Sequence, residues 1–264
     1  MRQIHPTAVV SPEAALADDV VVGPFCLIGP RVQIGPGCRL DDRVTMLGPS
    51  LIGRENRFYT GSVIGSDPQD LSYGGEEVWL RMGDRNQVRE FATINRGTHK
   101  DQGATVIGSD CLFMACTHVA HDCVLGDRVI MANGALLAGH IVVEDGAILN
   151  GAAALQQWST VGRLAYVGGL TRIVQDVPPF MIVEGHPAKV RGVNVIGLRR
   201  NGYGDEVIEA LKVAHRRLFR TEVEKERALQ AILVDGNPVP EVLCLARFLE
   251  RQMAGRHGRA REPK

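Results

Sequence analysis

The chain has 264 residues, no formal net charge, 45% apolar residues and 23% charged residues. This composition fits a globular protein with ample core, and it argues against a surface that binds nucleic acid. Residues 1–6 lack the apolar run of a signal peptide, and no stretch reaches transmembrane length, so we expect a cytoplasmic protein.

A large apolar residue recurs at every sixth position over most of the chain, and a small residue often precedes it by two positions. Neither a helix nor simple strand alternation places apolar residues at multiples of six. A hexapeptide period is typical of a parallel β-helix, in which each strand and turn contributes one large and one small inward side chain. The large residues are Val10, Leu16, Val22, Ile28, Ile34, Leu40, Met46, Ile52, Phe58, Ile64, Met82, Val88, Ile94, Ile107, Phe113, Val119, Leu125, Met131, Leu137, Val143, Leu149, Leu155, Val161, Val167 and Ile173.

Three hexads should close one triangular coil, so that residues three hexads apart lie on neighbouring strands. Glycine often follows the large apolar residue, as at Gly23 and Gly35, and we interpret this position as a corner that needs a positive φ. Four cysteines at the small inward position are predicted to fill the core, and the chain has no CxxC motif for zinc or a redox pair. They are Cys26, Cys38, Cys111 and Cys123.

Two segments, near residues 66–81 and 97–105, interrupt the period. Because Ile64 and Met82 are three hexads apart, the first interruption is predicted to span one coil without loss of register. Both segments are predicted to project as loops from a corner. Breaks in a solenoid often hold function, although a tolerated insertion is the alternative.

The period stops after Ile173, and the sequence divides into a β-helix domain at 1–190 and a C-terminal domain at 191–264. The second domain comprises a connector, three helices and a short basic tail from Gly255 to Lys264. Isolated helices of this length bury little surface, so we expect them to pack on the solenoid or on another subunit. The helices are predicted at 206–220 after an Asp205 N-cap, at 222–233 after a Thr221 N-cap, and from Pro238–Pro240 to near Met253.

The candidate chemistry lies in the last uninterrupted stretch of the solenoid. Steps of three hexads from His121 reach Gly139 and Gln157, which form one column on the outer edge, flanked by His118 and His140. Histidine suits proton transfer near neutral pH, Asp122 is close enough to orient an imidazole, and a glycine N–H can approach an oxyanion. Spacing alone equally allows histidines on a solvated turn.

Nine short runs together resemble the bacterial UDP-N-acetylglucosamine 3-O-acyltransferases, over almost the whole chain. The most specific are the His118–Asp122 run and the two segments that contain Gln69 and Gln175. The runs are His5-Pro6-Thr7-Ala8, Gly23-Pro24-Phe25-Cys26, Gln69-Asp70-Leu71, Gly83-Asp84-Arg85-Asn86, Arg96-Gly97-Thr98, His118-Val119-Ala120-His121-Asp122, Ala138-Gly139-His140, Gln175-Asp176-Val177-Pro178-Pro179 and Gly192-Val193-Asn194.

This resemblance implies a left-handed parallel β-helix that assembles as a homotrimer with active sites between subunits. It implies transfer of a 3-hydroxyacyl chain from acyl carrier protein to the 3-hydroxyl of UDP-N-acetylglucosamine, the first step of lipid A biosynthesis, without a metal, cofactor or covalent intermediate. By resemblance His121 is the general base, Asp122 orients it, and the Gly139 N–H binds the oxyanion. Residues that would line the groove or hold the nucleotide are Gln69, Asp70, His118, His140, Gln157, Asn194 and Arg200.

The sequence departs from the family pattern at four positions that concern the acceptor. Lysine is usual where Ser72 stands, histidine at Gln156, glutamate at Ile196 and arginine at Asn201. A paralogue that acylates another UDP-sugar, such as a 3-amino analogue, is therefore an alternative.

An acetyl-CoA-dependent hexapeptide acetyltransferase, a γ-type carbonic anhydrase and a non-enzymatic scaffold are further alternatives. The helical C-terminus and the Gln69-Asp70-Leu71 loop argue against the first of these. The histidine spacing that three zinc ligands would need is missing, which argues against the second.

Two expectations concern the donor. Arginines near 199–220 and in the tail are candidates for a basic surface that an acidic carrier protein would contact, although a solvated helix face is the commoner meaning of such residues, and the sequence does not indicate which of them touch the carrier. We therefore predict that deletion of residues 255–264 leaves turnover nearly intact. By resemblance Gly169 lies where the acyl tail ends, which predicts a longer donor such as 3-hydroxymyristoyl.

Overall fold

The structure is a computed structural model that describes residues 2–220, 224–234 and 239–263. Short parallel strands form three sheets, here called A, B and C, which are the three faces of a β-helix. Sheet A contains Gln3–Ile4, Val21–Val22, Arg39–Leu40, Arg57–Phe58, Gln87–Val88, Leu112–Phe113, Ile130–Met131, Ile148–Leu149, Tyr166–Val167, Met181–Glu184 and Lys189–Val193. Sheet B contains Val9–Val10, Leu27–Ile28, Thr45–Met46, Val63–Ser66, Thr93–Asn95, His118–Val119, Leu136–Leu137, Ala154–Leu155 and Arg172–Ile173. Sheet C contains Ala15–Leu16, Val32–Ile34, Ser50–Ile52, Trp79–Met82, Ala104–Ile107, Val124–Leu125, Val142–Val143 and Thr160–Val161.

The predicted period is confirmed by the strand register. Val119 pairs with Leu137 and Leu137 pairs with Leu155, in each case three hexads further along. Every large residue of the hexad series is buried except Val10, which is half-buried at the first coil. The four cysteines at the small inward position are also buried, and burial raises the pKa of the Cys111 and Cys123 thiols to about 12. The inward stripe therefore forms one continuous apolar core.

The prediction that the first interruption spans one coil was wrong. Ile64 pairs with Ile94, five hexads further along, and Met82 pairs with Ile52 in a different sheet. The interruption is thus inserted within a coil, between sheets B and C. It ends at Val78, because Trp79–Met82 is already a strand, and the second loop ends where Ala104–Ile107 begins.

The explanation offered for the corner glycines was also wrong. Gly23 and Gly35 do not have a positive φ; the left-handed residue lies two positions later, at Phe25 and Gly37. A Cβ at Gly23 would lie 2.6 Å from the Asp41 carbonyl oxygen in the next coil. Glycine is needed there because the stacked coils approach closely.

Beyond the last coil the chain makes an antiparallel hairpin, Met181–Glu184 with Lys189–Val193, that extends sheet A across the predicted domain boundary at 190. Four helices follow: α1 Val195–Arg200, α2 Asp205–Phe219, α3 Lys225–Val234 and α4 Pro240–Ala254. Asp205 is the first residue of α2, and Gly204 is its N-cap. The predicted cap Thr221 lies outside the described residues. Sequence analysis missed the hairpin and α1.

The helices pack around a second apolar cluster that includes Phe180, Leu198, Leu211 and Leu245, next to the end of the solenoid. None of the helices among the described residues is long and apolar enough to cross a membrane.

Candidate active site

His121 and Asp122 lie at a corner between sheets B and C. Asp122 adopts the left-handed conformation, with a φ of 59°, which aspartate tolerates better than most residues. The His121 Nδ1 lies 2.9 Å from Asp122 Oδ2. Because a carboxylate can only accept, Nδ1 carries the hydrogen and the neutral ring keeps its lone pair on Nε2. Nε2 has no hydrogen-bond partner among the described residues.

Asp122 is fully buried and its carboxylate accepts three hydrogen bonds, one from His121 and two from Thr98. The N–H of Thr98 donates to Oδ1 at 2.8 Å, and the Thr98 hydroxyl donates to Oδ2 at 2.6 Å. Burial alone would raise the pKa of Asp122, but the bonds from His121 and Thr98 outweigh it and hold the pKa below its usual value. Asp122 therefore remains ionised and fixes the tautomer of His121.

Gly139 lies directly beneath the His121 imidazole. A Cβ at this position would lie 2.5 Å from His121 Cε1 and 2.8 Å from Nε2, so only glycine leaves room for the ring. The Gly139 N–H makes no hydrogen bond within the described residues. An unpaired backbone donor beside a base matches the geometry of an oxyanion site.

His140 is buried beside this pair. Its ring stacks on Trp158 with centroids 3.9 Å apart, and its Nδ1 lies 3.4 Å from Asp101 Oδ2. Burial lowers the pKa of His140, and Asp101 opposes that shift. His118 is held by the Thr93 hydroxyl, 2.7 Å from Nδ1, and burial followed by the nearby His121 lowers its pKa. Both histidines are therefore favoured in the neutral form.

A shallow cavity of about 240 Å³ continues the column past Gly139. Gln156, Gln157, Ala138 and Arg172 are among the residues that line it, so Gln157 faces a cavity next to Gly139. Gly169 lies at another corner, between sheets A and B, where it is exposed. A Cβ there would lie 3.2 Å from the Gly151 carbonyl oxygen.

The two inserted loops are joined by an ion pair. Lys100 Nζ lies 2.7 Å from Asp70 Oδ2, and the hydrogen bonds from Lys100 and Ser72 lower the pKa of Asp70 strongly. The buried Arg96 joins the first loop to the strand before it, because it donates to the Gly65 carbonyl of that strand at 2.6 Å and pairs with Asp67 of the loop. Gln69 is exposed on the same loop.

The remaining predicted residues lie elsewhere on the chain. Asn194 is buried as the N-cap of α1, where its side chain accepts from the Gly197 N–H and donates to the Leu164 carbonyl. Arg200 and Ile196 are exposed on the same helix. Within the described residues, neither Asn194 nor Arg200 has a hydrogen bond or ion pair with the His121 corner.

Sequence analysis missed four residues that surround His121 and His140. The Thr98 contact was hidden because the path of an inserted loop cannot be deduced from the repeat, although Thr98 belongs to one of the runs that carry the resemblance. Trp158 follows Gln157 and was accessible through the same three-hexad step. Nothing in the sequence indicated that Asp101 or Arg261 contacts His140, because they are 39 and 121 residues away from it in the sequence.

The ligand atoms of His121, Asp122 and His140 lie within 4.8 Å of one another, which is compatible with metal coordination by distance. However, the Asp122 oxygens already accept from His121 and Thr98. His121 and Asp122 thus form a hydrogen-bonded pair, an arrangement that suits proton transfer.

A β-helix of hexapeptide repeats with a histidine–aspartate pair beside a glycine N–H at one corner indicates a hexapeptide transferase. The family model described as bacterial transferase hexapeptide (six repeats) matches residues 104–139, and the model described as Udp N-acetylglucosamine O-acyltransferase, Domain 2, matches residues 176–258. The structure of a UDP-N-acetylglucosamine acyltransferase from Bacteroides fragilis superposes with a TM-score of 0.91 at 35% identity, covering 94% of this chain and 97% of that one.

Curated relatives match across both regions. An acyl-[acyl-carrier-protein]--UDP-N-acetylglucosamine O-acyltransferase from Myxococcus xanthus is 44% identical over 97% of this chain and 99% of its own length. A relative with the same name from Synechocystis is 47% identical over 87% of this chain and 83% of its own. The chain belongs to the family of UDP-N-acetylglucosamine O-acyltransferases.

Proposed function

We propose that the protein transfers a 3-hydroxyacyl chain from acyl carrier protein to the 3-hydroxyl of UDP-N-acetylglucosamine, the first step of lipid A biosynthesis. Family membership supports the donor and acceptor classes. The observation that carries the mechanism is the His121–Asp122 pair above the unpaired Gly139 N–H.

In the proposed reaction, His121 Nε2 removes the proton from the sugar hydroxyl while the oxygen attacks the thioester carbonyl. The negative charge on the carbonyl oxygen is stabilised by the Gly139 N–H. The carbon–sulfur bond then breaks, and the imidazolium returns its proton to the departing thiolate. Asp122 stabilises the cation that His121 carries between these two steps. The reaction is direct, so this chain contributes a base, a donor and positioning groups.

The neighbouring residues have proposed roles in binding. His118, His140 and Gln157 surround the base and would contact the two substrates, and the cavity beside Gln157 offers a path for the acyl chain. Gly169 would leave the end of that path open to a long chain. A side chain at this position would shorten it.

The Lys100–Asp70 pair bears on the acceptor. The resemblance leads one to expect a lysine at position 72, and the structure has Ser72 there, donating to Asp70. Lys100 brings an ammonium group to the same carboxylate from the other inserted loop. This favours retention of UDP-N-acetylglucosamine over a change of acceptor.

The homotrimer and the cytoplasmic location are part of this proposal. The outward residues of sheet A are polar at Arg39, Arg57 and Gln87 and apolar in the later coils, and consecutive later coils of sheet C carry outward valines. Two different apolar faces on one chain suit a heterologous contact that closes into a ring. The residues on sheet A are Leu112, Ile130, Ile148 and Tyr166, and those on sheet C are Val106, Val124 and Val142. In such a ring, Asn194 and Arg200 would reach the site of a neighbouring subunit.

The test is an acylation assay with 3-hydroxymyristoyl carrier protein and a panel of UDP-sugars. We expect ester formation on UDP-N-acetylglucosamine, preferred over its 3-amino analogue. His121→Ala should lower turnover by ~10²- to 10⁴-fold, the usual contribution of a general base, with oligomeric state unchanged.

Each part of the proposal has its own contrary result. Preference for the amine would replace the ester-forming assignment with an amide-forming one. Activity with acetyl-CoA alone would support the acetyltransferase alternative, and failure with every UDP-sugar would overturn the function. Near-normal turnover in His121→Ala would remove the mechanism only.

A further inference from the structure

The C-terminal tail, residues 255–263, folds back onto the last coil of the solenoid. The Asp176 N–H donates to the Gly258 carbonyl at 2.8 Å, and the Ala260 N–H donates to the Asp176 carboxylate at 2.8 Å. The same carboxylate accepts from the Thr160 N–H at 2.7 Å, and Asp176 is only 4% exposed. Asp176 thus joins the tail to the solenoid through its own N–H and through a buried carboxylate that accepts from both sides.

The docked tail brings Arg261 to the back of the active site. Its Nη1 donates to the His140 carbonyl at 2.7 Å, and its Nη2 lies 3.6 Å from Asp101 Oδ2. Its guanidinium carbon also lies 5.8 Å from the centre of the Trp158 ring. One side chain therefore contacts His140, the carboxylate beside the His140 ring and the ring on which it stacks.

These contacts bear on the reacting groups through one short segment. The His140 N–H donates to the His121 carbonyl at 3.0 Å, while the His140 carbonyl accepts from Arg261. The residue next to Gly139 is thus held from the preceding coil and from the tail. A donor with five N–H groups in a rigid plane can make such a set of contacts, whereas a lysine cannot make them all.

We propose that Arg261 is a positioning residue of the active site, through which the docked tail holds His140, Asp101 and the Gly139 segment in their reactive arrangement. The inference rests on the proposed function for its kinetic consequence. It reverses the expectation that the tail can be deleted without loss of turnover.

The test compares three variants with the wild type in steady-state assays. Arg261→Ala should lower kcat by about 10- to 100-fold, the cost of a small misplacement of reacting groups, with KM for both substrates within about twofold. Arg261→Lys should recover part of the loss because it keeps the positive charge and one hydrogen-bonding nitrogen. Arg256→Ala is the matched control, since the side chain of this exposed tail arginine donates, among the residues that the structure describes, only to the Pro263 carbonyl at 3.4 Å.

A second measurement does not depend on turnover. The imidazole NMR signals of His140 should shift in Arg261→Ala and stay in place in Arg256→Ala, with the thermal midpoints of both close to that of the wild type. If the wild type acylates no UDP-sugar, the proposed function fails while this shift still tests the position of His140. An unshifted His140, an unchanged kcat in an active Arg261→Ala, or equal losses in Arg256→Ala would each overturn the inference.

Discussion

Two corners of the solenoid have the same backbone pattern, but they differ in whether one equivalent backbone N–H has a hydrogen-bond partner. The amide belongs to the second residue after the large apolar residue. At the corner between sheets C and A, Ser109 N–H donates to Asp127 Oδ1 at 2.8 Å, and Asp127 N–H donates to Asp145 Oδ1 at 3.0 Å. At the corner between sheets B and C, the equivalent Gly139 N–H has no partner among the described residues, and the His121 ring occupies the space above it.

The repeat thus provides the backbone N–H donor, and the neighbouring side chains determine whether this donor is hydrogen-bonded within the protein. A side-chain carboxylate from the next coil satisfies the amide at the first corner, which stabilises the stack. At the second corner the residue one coil further along is Gln157, which is not a carboxylate, and the nearby carboxylate of Asp122 in the preceding coil bonds to Thr98 and His121. The Gly139 amide is then left without a partner among the described residues, so under the proposed function the first corner is structural and the second binds the substrate oxyanion.

The largest effect is expected from a side chain that fills the space above the Gly139 amide. Gly139→Ala would place a Cβ 2.5 Å from the His121 ring, which must then move away from both the amide and the substrate. We expect kcat to fall by ~10²- to 10³-fold, as for loss of an oxyanion donor, while the protein stays folded. Single-turnover kinetics with saturating substrates would measure the loss.

Two control variants sharpen the result. The first control is Gly151→Ala. Gly151 occupies the same position at the corner between sheets A and B, and a Cβ there would lie 3.5 Å from the Asn133 carbonyl oxygen, which is an ordinary contact. Asp127→Ala removes the cap from the Ser109 amide, which should cost about 1 kcal/mol of unfolding free energy and leave kcat unchanged. If Gly139→Ala keeps wild-type kcat, or Asp127→Ala loses it, the division into structural and reactive corners is wrong.

A third corner should control chain length. Gly169 occupies the same position between sheets A and B, and Gly169→Met should shift donor preference from 3-hydroxymyristoyl toward 3-hydroxydecanoyl. Each buried methylene contributes about 0.8 kcal/mol, so four carbons amount to roughly 3 kcal/mol as an upper value. Competition between the two donors would measure the ratio. A wild type that already prefers the ten-carbon donor, or a variant with unchanged preference, would show that Gly169 does not set the length.

The smallest expected effect is on pH dependence of stability. The pKa of His118 is lowered by burial, so the folded protein binds fewer protons than the unfolded chain between that pKa and about 6.5. The unfolding free energy should therefore be constant above this window and fall as the pH drops through it. Denaturant titrations at about pH 5 and about pH 7.5 should show a smaller difference in His118→Gln than in the wild type.

His5→Gln is the matched control for this effect. His5 Nδ1 bonds to the Thr7 hydroxyl at 2.9 Å, much as His118 bonds to Thr93, but the residue is exposed. A His118→Gln variant with the full pH dependence of the wild type would contradict the assignment.

The sequence was sufficient to predict those features whose residues repeat at intervals of three hexads. The apolar core and the column of His121, Gly139 and Gln157 depend only on strand register, which the hexads determine. The inserted loops broke that rule, and the first was assigned to the wrong register because Ile64 and Met82 happen to be one coil length apart. Corner glycines were misinterpreted because close approach between coils and a positive φ favour the same residue.

Three residues that contact the site lie outside the hexapeptide repeat. Thr98 and Asp101 belong to an inserted loop, and Arg261 follows a helix whose packing depends on the second apolar cluster. Their positions depend on tertiary contacts, so the sequence could indicate the base and its column but not the groups that surround them.

The docked tail has a consequence for the order of folding. Neighbouring coils are joined across three hexads, whereas the contact between Arg261 and His140 closes a loop of 121 residues. Contacts between residues far apart in sequence carry the larger closure entropy, and they tend to form after local ones. The solenoid can therefore assemble coil by coil, with His121 above Gly139, before the tail docks. Full activity should therefore appear only after the tail has docked, as the last step of folding. The backbone amide of Ala260 should also exchange its hydrogen with solvent sooner than the amides of the coils.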